Sequence, residues 1–190
     1  VGHNRDDALA DLFGAHQLAE HARHEFETRD VDATMATMVA EPYVNHVATM
    51  TGGIGHNMLK RFYKYHFVMQ NSEERGNTPI SYTVGGNRVV IEQVVHFRHD
   101  DVIDRMYPGI EPTGKMIELP LILCVKFRGP KVWHEHIYWD QASALAQIGL
   151  IDAEMLPVAG AEQAAKLLDE TLPSNELMAD SWEASEGKPI

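Results

Sequence analysis

The strongest chemical signal in the sequence is the run Lys-Val-Trp-His-Glu-His-Ile-Tyr-Trp-Asp at positions 131–140, where acid/base side chains are crowded between two tryptophans. Successive residues of a β-strand face opposite sides, so Glu135 is predicted to share an apolar, aromatic face with Trp133. A carboxylate on such a face must be hydrogen-bonded or shifted in pKa. We interpret Glu135 as a general base or hydrogen-bond acceptor in a pocket wall. The alternative is a structural carboxylate paired with a cation on a neighbouring strand, such as Lys126.

Three further residues are candidates for acid/base chemistry. Glu92 and His96 share one face of a predicted strand over 88–99. They stand roughly 13 Å apart along that strand, so each can contact a bound ligand at a different depth. A solvated or salt-bridged face is the alternative. His46 is a candidate because a neutral imidazole accepts a proton at physiological pH, and the alternative there is a structural histidine.

The histidine-rich pattern also raises the question of a metal site. His134 and His136 are two residues apart on a strand, which places both imidazoles on one face at the separation of metal ligands. His21 and His24 have helical spacing, with Glu25 next to them. The sequence does not identify a third and fourth ligand. We therefore predict no metal, and interpret these histidines as surface or interface residues.

Composition limits the class of protein. The chain has 190 residues, 44% of them hydrophobic and 23% charged, which is typical of a soluble globular domain. We predict a single domain over residues 1–170 and a tail over 171–190. A formal charge of −12 without a basic stripe argues against nucleic-acid binding. Cys124 has no partner for an intramolecular disulfide, and no segment has the hydropathy of a membrane span, so we expect a cytoplasmic protein.

The periodicity of apolar residues predicts helices first and strands later. Asn4 and Asp30 are the predicted N-caps of the first two helices, and Pro42 is predicted to end the second. Asp140 and Gly149 are predicted to cap a short late helix at its two ends. The predicted helices are 4–26, 31–39, 57–67, 141–148 and 161–168; the predicted strands are 43–47, 80–84, 88–99, 116–127 and 131–139, with a turn at 51–55. This order indicates an α+β domain with helices packed on a curved sheet.

The order of elements and three motifs resemble a known family. The motifs are Pro42-Tyr-Val-Asn-His-Val47, Pro108-Gly-Ile-Glu-Pro-Thr-Gly-Lys115 and Val125-Lys-Phe-Arg-Gly-Pro-Lys-Val-Trp-His-Glu-His136. The chain is similar to the nuclear transport factor 2-like (NTF2-like) superfamily and, within it, to the SnoaL-like polyketide cyclase group. The resemblance extends from about residue 19 to about residue 150.

The resemblance implies a cone-shaped fold in which a curved mixed or antiparallel sheet wraps around N-terminal helices. It also implies a homodimer through the sheet face, a small apolar organic molecule in the cone, and acid/base catalysis of the cyclase, isomerase or dehydratase type without metal or organic cofactor. A non-catalytic binding module is the alternative. The expected catalytic residues are Glu135, His46, Glu92 and His96, and the expected ligand-binding residues are Tyr43, Asn45, Tyr107 and Trp133.

Overall fold

The computed structural model describes the backbone of residues 5–189 and the side chains of residues 16–189. The predicted cap Asn4 lies outside the described residues. The helices in this part of the chain are α1 (Arg5–Phe26), α2 (Val31–Ala36), α3 (His56–Phe62), α4 (Gln141–Ile148), α5 (Glu162–Leu168) and α6 (Ala179–Glu183). A π-helical turn (Tyr63–Phe67) and a 3-10 turn (Val68–Gln70) follow α3 directly, and another 3-10 turn (Glu176–Met178) precedes α6.

Within the described residues, six strands form one mixed sheet at the centre of the fold. Its strands are β1 (Met38–His46), β2 (Thr51–Ile54), β3 (Arg75–Gly85), β4 (Arg88–Arg98), β5 (Met116–Arg128) and β6 (Lys131–Tyr138). Their spatial order is β2-β1-β6-β5-β4-β3; β1 and β6 run parallel, and the other neighbouring pairs run antiparallel. Helices packed against a curved mixed sheet confirm the predicted α+β fold class.

Helix caps follow the local sequence as predicted. Asp30 accepts a hydrogen bond from the backbone N–H of Ala33 (2.9 Å) at the start of α2. Asp140 accepts one from the backbone N–H of Ala142 (2.9 Å) at the start of α4. Gly149 ends α4 with φ at +86°, in the left-handed region. Capping depends on a few neighbouring residues, so sequence alone is sufficient to locate it.

The first two strands differ from the prediction. β1 already begins at Met38, so α2 is shorter than predicted and Pro42 lies within a strand. The predicted turn at 51–55 is instead mostly strand β2, which pairs with β1. At Gly52, φ is +128° and an added Cβ would lie 2.2 Å from the carbonyl oxygen of Val44. The glycine therefore permits a close approach of two strands, a role that the sequence pattern does not distinguish from a turn.

A β-bulge in β6 changes the faces of its side chains. The pairing between β5 and β6 slips by one residue between Lys126 and Phe127, which leaves Trp133 as an extra residue in β6. Val132 and Glu135 are both buried, although a regular strand would place them on opposite faces. The prediction that Trp133 shares a face with Glu135 is therefore wrong.

Two apolar clusters hold the helices on the sheet. The larger one contains Leu18 of α1, Met35 of α2, Leu59 of α3 and strand residues such as Val132. The second joins the segment 103–107 to α4 and to β5. The chain after α5 is largely exposed, and the domain boundary at residue 170 stays a prediction. Within residues 5–189, no helix has both the length and the apolar composition required to span a membrane.

Candidate functional site

A cavity of about 540 Å³ lies between the helices and the sheet. Its walls are mainly apolar and include Leu18, Val44, Phe67, Ile91, Leu123 and Trp139. The polar and charged side chains that also line it include His21, Glu25, His46, Tyr63, Arg105 and Glu135. An apolar cavity with a few convergent polar groups is the usual form of a site for a small organic molecule.

Glu135 is buried at the wall of this cavity, with 5% of its surface exposed, and its partners come from helical segments. The Tyr63 hydroxyl donates a hydrogen bond to Glu135 Oε2 (3.0 Å), and His21 Nε2 lies 3.5 Å from the same oxygen. His21 Nε2 also lies 3.2 Å from Glu25 Oε1. Lys126, the alternative partner considered from the sequence, pairs in the sheet with His134 on the other face. The carboxylate is thus held by α1 and by the turn after α3.

The hydrogen-bond partners of His21 indicate which of its ring nitrogens carry a hydrogen. The Thr37 hydroxyl donates its hydrogen to the carbonyl oxygen of Thr34 (2.6 Å), so it can only accept from His21 Nδ1–H. The opposite ring nitrogen, Nε2, faces the carboxylates of Glu25 and Glu135. A lone pair there would oppose two carboxylates, whereas an Nε2–H pairs with both. His21 is therefore an imidazolium held between two carboxylates.

The pKa shifts of the three groups agree with this assignment. Burial alone lowers the pKa of His21, but the Glu25 and Glu135 carboxylates outweigh burial and raise it well above its usual value. Burial raises the pKa of Glu25, and His21 offsets only part of that effect. Burial acts in the same direction on Glu135, but His21 and Tyr63 together hold its pKa below the usual value. Glu135 is therefore the ionised carboxylate of the cavity wall, and Glu25 is the easier of the two to protonate.

His46 lies beside Glu135 on the same face of the sheet. Residues 44 and 46 of β1 pair with residues 135 and 137 of β6, which makes His46 and Glu135 diagonal neighbours. The imidazole packs against Phe62, Phe67 and Trp139, with ring centroids 5.5, 5.8 and 5.9 Å away. Its side chain is thus buried in an aromatic part of the cavity wall.

The surroundings of His46 keep its imidazole neutral. Burial, with the positive charge of Arg105 as a second cause, lowers its pKa to about 4. Its Nδ1 lies 3.4 Å from the carbonyl oxygen of Thr51, a long contact in which only the nitrogen can donate. With the proton on Nδ1, the Nε2 atom carries the lone pair. His46 is therefore a neutral acceptor at physiological pH.

Arg105 also lines the cavity. Its guanidinium donates to the carbonyl oxygen of Gln70 (3.2 Å) and to Asn71 Oδ1 (2.6 Å), and it lies 4.5 Å above the ring of Phe67. Burial lowers its pKa to about 10. Hydrogen bonds from the hydroxyls of Thr49 (2.6 Å) and Thr51 (3.1 Å) to the Arg105 carbonyl oxygen anchor its backbone next to the β1–β2 connection.

All four of the predicted ligand-binding residues lie outside the described lining of the cavity. Trp133 is on the other face of the sheet, where the guanidinium of Arg128 lies 3.8 Å from its ring centroid. Tyr43 packs on that face as well, with its ring 5.3 Å from that of His136. The residues outside the lining are Tyr43, Asn45, Tyr107 and Trp133. Tyr107 is fully buried in the second apolar cluster, so it supports the fold rather than the cavity wall.

The two candidate residues on β4, Glu92 and His96, have different surroundings in the structure. Glu92 accepts a hydrogen bond from the Ser81 hydroxyl (2.9 Å) and does not belong to the described lining. His96 does line the cavity, next to Gly76, where an added Cβ would lie 2.7 Å from His96 Nε2. Of the four predicted catalytic residues, the structure thus brings together Glu135 and His46, with His96 elsewhere along the same cavity.

Among the described residues, one group has the composition and spacing of a metal-ligand set. The ligand atoms of His21, Glu25 and Glu135 lie within 4.8 Å of one another, and all three residues are buried. The other three histidines that the sequence offered as metal ligands, His24, His134 and His136, are not part of this group. His24 contacts the Thr28 hydroxyl (3.2 Å) on the exposed side of α1, and the rings of His134 and His136 stack 6.0 Å apart on the outer face.

The sequence does not predict that four residues of the cavity lie with Glu135: His21, Glu25, Tyr63 and Arg105. His21 and Glu25 have a recognisable signal, because they continue a helical stripe that begins at buried Leu18, where apolar residues are expected. Tyr63 falls on the apolar side of the predicted third helix. Arg105 has no local signal, because it lies in an irregular segment between β4 and β5.

Sequence comparison places these features in a family. The profile of the SnoaL-like domain matches residues 19–135, which is more than half of the chain. No curated protein matches the chain significantly. The matched range includes α1 from residue 19 onward and ends at Glu135, so it contains the whole buried group of His21, Glu25, Tyr63 and Glu135.

Solved structures share the fold at low sequence identity. A putative SnoaL-like polyketide cyclase from Jannaschia sp. CCS1 has a TM-score of 0.59 and 14% identity, covering 80% of this chain and 100% of that chain. TsrD from Streptomyces laurentii has a TM-score of 0.55 and 15% identity, with coverage of 79% and 100%. An NTF2-like protein of unknown function from Burkholderia pseudomallei K96243 has a TM-score of 0.54 and 16% identity, with coverage of 72% and 98%. The structural likeness defines an NTF2-like fold, and the profile match identifies the chain as a member of the SnoaL-like family.

Proposed function

We propose that the cavity catalyses proton transfer on a small, largely apolar carbonyl compound. The observation that supports this proposal is the position of Glu135, an ionised carboxylate at the wall of an apolar cavity, beside the neutral imidazole of His46. A carboxylate that is ionised and held in place at the wall of a cavity can remove a proton from a carbon acid bound beside it. Cyclisations, isomerisations and dehydrations that pass through an enolate begin with such a step.

Each polar residue has a distinct role in the proposal. Glu135 is the general base, and the Tyr63 hydroxyl fixes the orientation of its carboxylate. His21 and Glu25 are positioning residues in the proposal, because His21 contacts the Glu135 carboxylate and Glu25 in turn contacts His21. His46 receives or relays a proton through Nε2. The arrangement keeps the base charged inside an apolar site without exposing it to water.

Substitution of Glu135 tests the proposal. In D₂O, the α-hydrogens of a neutral apolar ketone such as 2-tetralone are expected to exchange faster with the protein than without it, as followed by proton NMR. Glu135→Gln preserves shape and removes the base, so the exchange rate is expected to fall about 10²- to 10⁴-fold. Glu118→Gln, an exposed glutamate on β5, is the matched control and is expected to have no effect. An undiminished rate in a folded Glu135→Gln protein would exclude Glu135 as the base.

A non-catalytic binding module is the second candidate. The apolar walls and the cavity of about 540 Å³ are compatible with simple ligand binding. The two candidates differ in one respect: a binding module has no need for an ionised carboxylate held among apolar walls. Binding of 2-tetralone without acceleration of its exchange would favour the binding module.

We further propose a homodimer formed through the outer face of the sheet. Ile122 and Tyr138 are opposite each other there, with 42% and 43% of their surfaces exposed. His136 Nε2 on the same face is buried and has no hydrogen-bond partner among the described residues. Apolar exposure and an unsatisfied buried polar atom on one face both favour a partner surface. A cytoplasmic location stays a prediction from the sequence.

A further inference from the structure

Three arginines converge on the segment 70–72 at one end of the cavity, although the chain as a whole carries a formal charge of −12. Arg29 donates to the carbonyl oxygen of Asn71 (3.1 Å), and Arg75 donates to that of Ser72 (2.5 Å). Arg105 donates to Asn71 Oδ1 (2.6 Å). Arg75, Arg105, Asn71 and Ser72 all line the cavity. A local concentration of cations in an acidic protein requires a physical reason.

Two of the arginines that line the cavity, Arg75 and Arg105, donate no hydrogen bond to a carboxylate among the described residues. The acceptors of Arg105 are a carbonyl and an amide oxygen, and those of Arg75 are the carbonyl oxygens of Ser72 and Phe26. In the described part of the chain, neither forms an ion pair, whereas Arg29 pairs with Glu73 (2.7 Å). Burial lowers the pKa of Arg105; the Glu25 carboxylate offsets part of this effect, and Arg75 adds to it. Burial also lowers the pKa of Arg75; Arg29 adds to this effect, and Glu73 offsets part of it. The mutual repulsion of these cations would be relieved by an anion.

The other two cations of the described lining, His21 and Arg23, already have carboxylate partners. His21 pairs with Glu25 (3.2 Å) and Glu135 (3.5 Å), and Arg23 pairs with Glu20 (3.1 Å). This leaves Arg75 and Arg105 as the cations of the described lining that form no ion pair with a described residue.

Arg105 also has the donors to bind a ligand. A guanidinium has five N–H groups in a planar fork, and only two hydrogen bonds from that of Arg105 are made within the described residues. The guanidinium carbon lies 4.5 Å from the centre of the Phe67 ring, and this contact together with the two hydrogen bonds restricts the motion of the fork. A carboxylate is the group that this fork binds best, because two parallel N–H···O bonds can form.

We propose that the ligand of this cavity is an apolar molecule with a carboxylate, and that Arg105 binds this carboxylate while Arg75 adds a second positive charge. This inference rests on the proposed function, because it names the substrate class for the same cavity. The carboxylate lies at the Arg105 end, and the apolar body extends along the wall past His46 towards Glu135. The ligand thereby supplies an anion to two cations that form no ion pair within the described residues.

Two ligands of the same shape and different charge test the inference. Isothermal titration calorimetry with 2-naphthoate and the neutral 2-naphthamide is expected to show about 10- to 100-fold tighter binding of the carboxylate to the unaltered protein. Arg105→Gln is expected to reduce that preference to less than about twofold, with the affinity for 2-naphthamide unchanged. Arg105→Lys retains the charge without the fork and is expected to keep part of the preference. Arg61→Gln, an exposed arginine on α3, is the matched control.

The outcomes separate this inference from the proposed function. Equal binding of both ligands, tighter binding of the amide, or no binding of 2-naphthoate at millimolar concentration would each overturn the carboxylate site. These measurements need no variant, so they decide the question even if Arg105→Gln does not fold. A preference that persists in folded Arg105→Gln would overturn the assignment to Arg105. Glu135→Gln is expected to lose ketone exchange and retain the carboxylate preference, so failure of one proposal leaves the other testable.

Discussion

The two faces of β6 use similar residue types for different purposes. On the cavity face, Glu135 is buried and ionised, with a protonated His21 and a tyrosine hydroxyl as partners. On the outer face, His134 and His136 stack on each other beside Trp133 and its two overlying cations. The difference shows that acid/base residue types do not make a site by themselves. Helical partners that bring fixed charges and hydrogen bonds to one face do so.

Removal of the protonated His21 side chain, which lies between Glu25 and Glu135, is expected to have the largest effect on stability. His21→Ala leaves Glu25 and Glu135 buried without their shared partner, which is expected to lower the free energy of unfolding by about 3–5 kcal/mol. On the outer face, His134→Ala is expected to cost less than about 1 kcal/mol. Urea denaturation of both variants measures the difference, and equal losses would contradict the distinction between the faces.

The pH dependence of His21→Ala sharpens the same test. Without the imidazolium, burial and mutual repulsion raise the pKa of both carboxylates in the folded protein above their unfolded values. On these two groups the folded state then binds more protons than the unfolded state, so the free energy of unfolding of the variant rises relative to that of the unaltered protein as the pH falls from about 8 to about 5. A difference between the two proteins that stays constant over this range would show that the carboxylates do not depend on His21.

The effect of low pH on stability through protonation of His46 is expected to be intermediate in size. Its folded pKa of about 4 lies below the usual value of 6.5, so the unfolded state binds the proton first as the pH falls. Stability therefore decreases between pH 6.5 and about 4, by about 3 kcal/mol in total from this residue. His46→Phe removes the titration, and its free energy of unfolding is expected to decline less over that range than that of the unaltered protein. Parallel declines in the two proteins would contradict burial of a neutral imidazole.

The smallest effect on the protomer is expected at the outer face. Ile122→Lys places a charge at the centre of the proposed dimer surface, so the protein is expected to change from dimer to monomer in light scattering. The free energy of unfolding of the protomer is expected to change by less than about 1 kcal/mol. Tyr65→Lys, at an exposed aromatic residue outside the sheet, is the control and is expected to remain dimeric. A monomeric unaltered protein would contradict the proposed dimer.

Local patterns allowed the order of the elements to be predicted. The caps Asp30 and Asp140, the final glycine of α4 and the two long hairpins follow from residues close together in the chain. The pairing of β2 with β1 was missed because glycines in a turn and glycines at a close strand approach have the same local sequence. Long-range pairing depends on residues that only the folded chain brings together.

The candidate site was predictable only in part. Glu135 was identified because a carboxylate among aromatic residues on a strand is conspicuous, and His46 because it lies on the first strand of a family-like motif. Trp133 was assigned to the wrong face because a single extra residue in β6 reverses the alternation. Its place in the cavity wall is taken by Trp139, which packs 5.9 Å from His46.

The sequence by itself determined the α+β class, the helix caps, the hairpins and the presence of a carboxylate that required a partner. Only the tertiary structure decided which partner that is, because His21, Tyr63 and Glu135 are far apart in the chain and meet through packing of α1 and the turn after α3 on the sheet. It also decided that Arg105 and Arg75 face the same cavity. Charge pairing in a buried site depends on distances in space, and local sequence does not encode those distances.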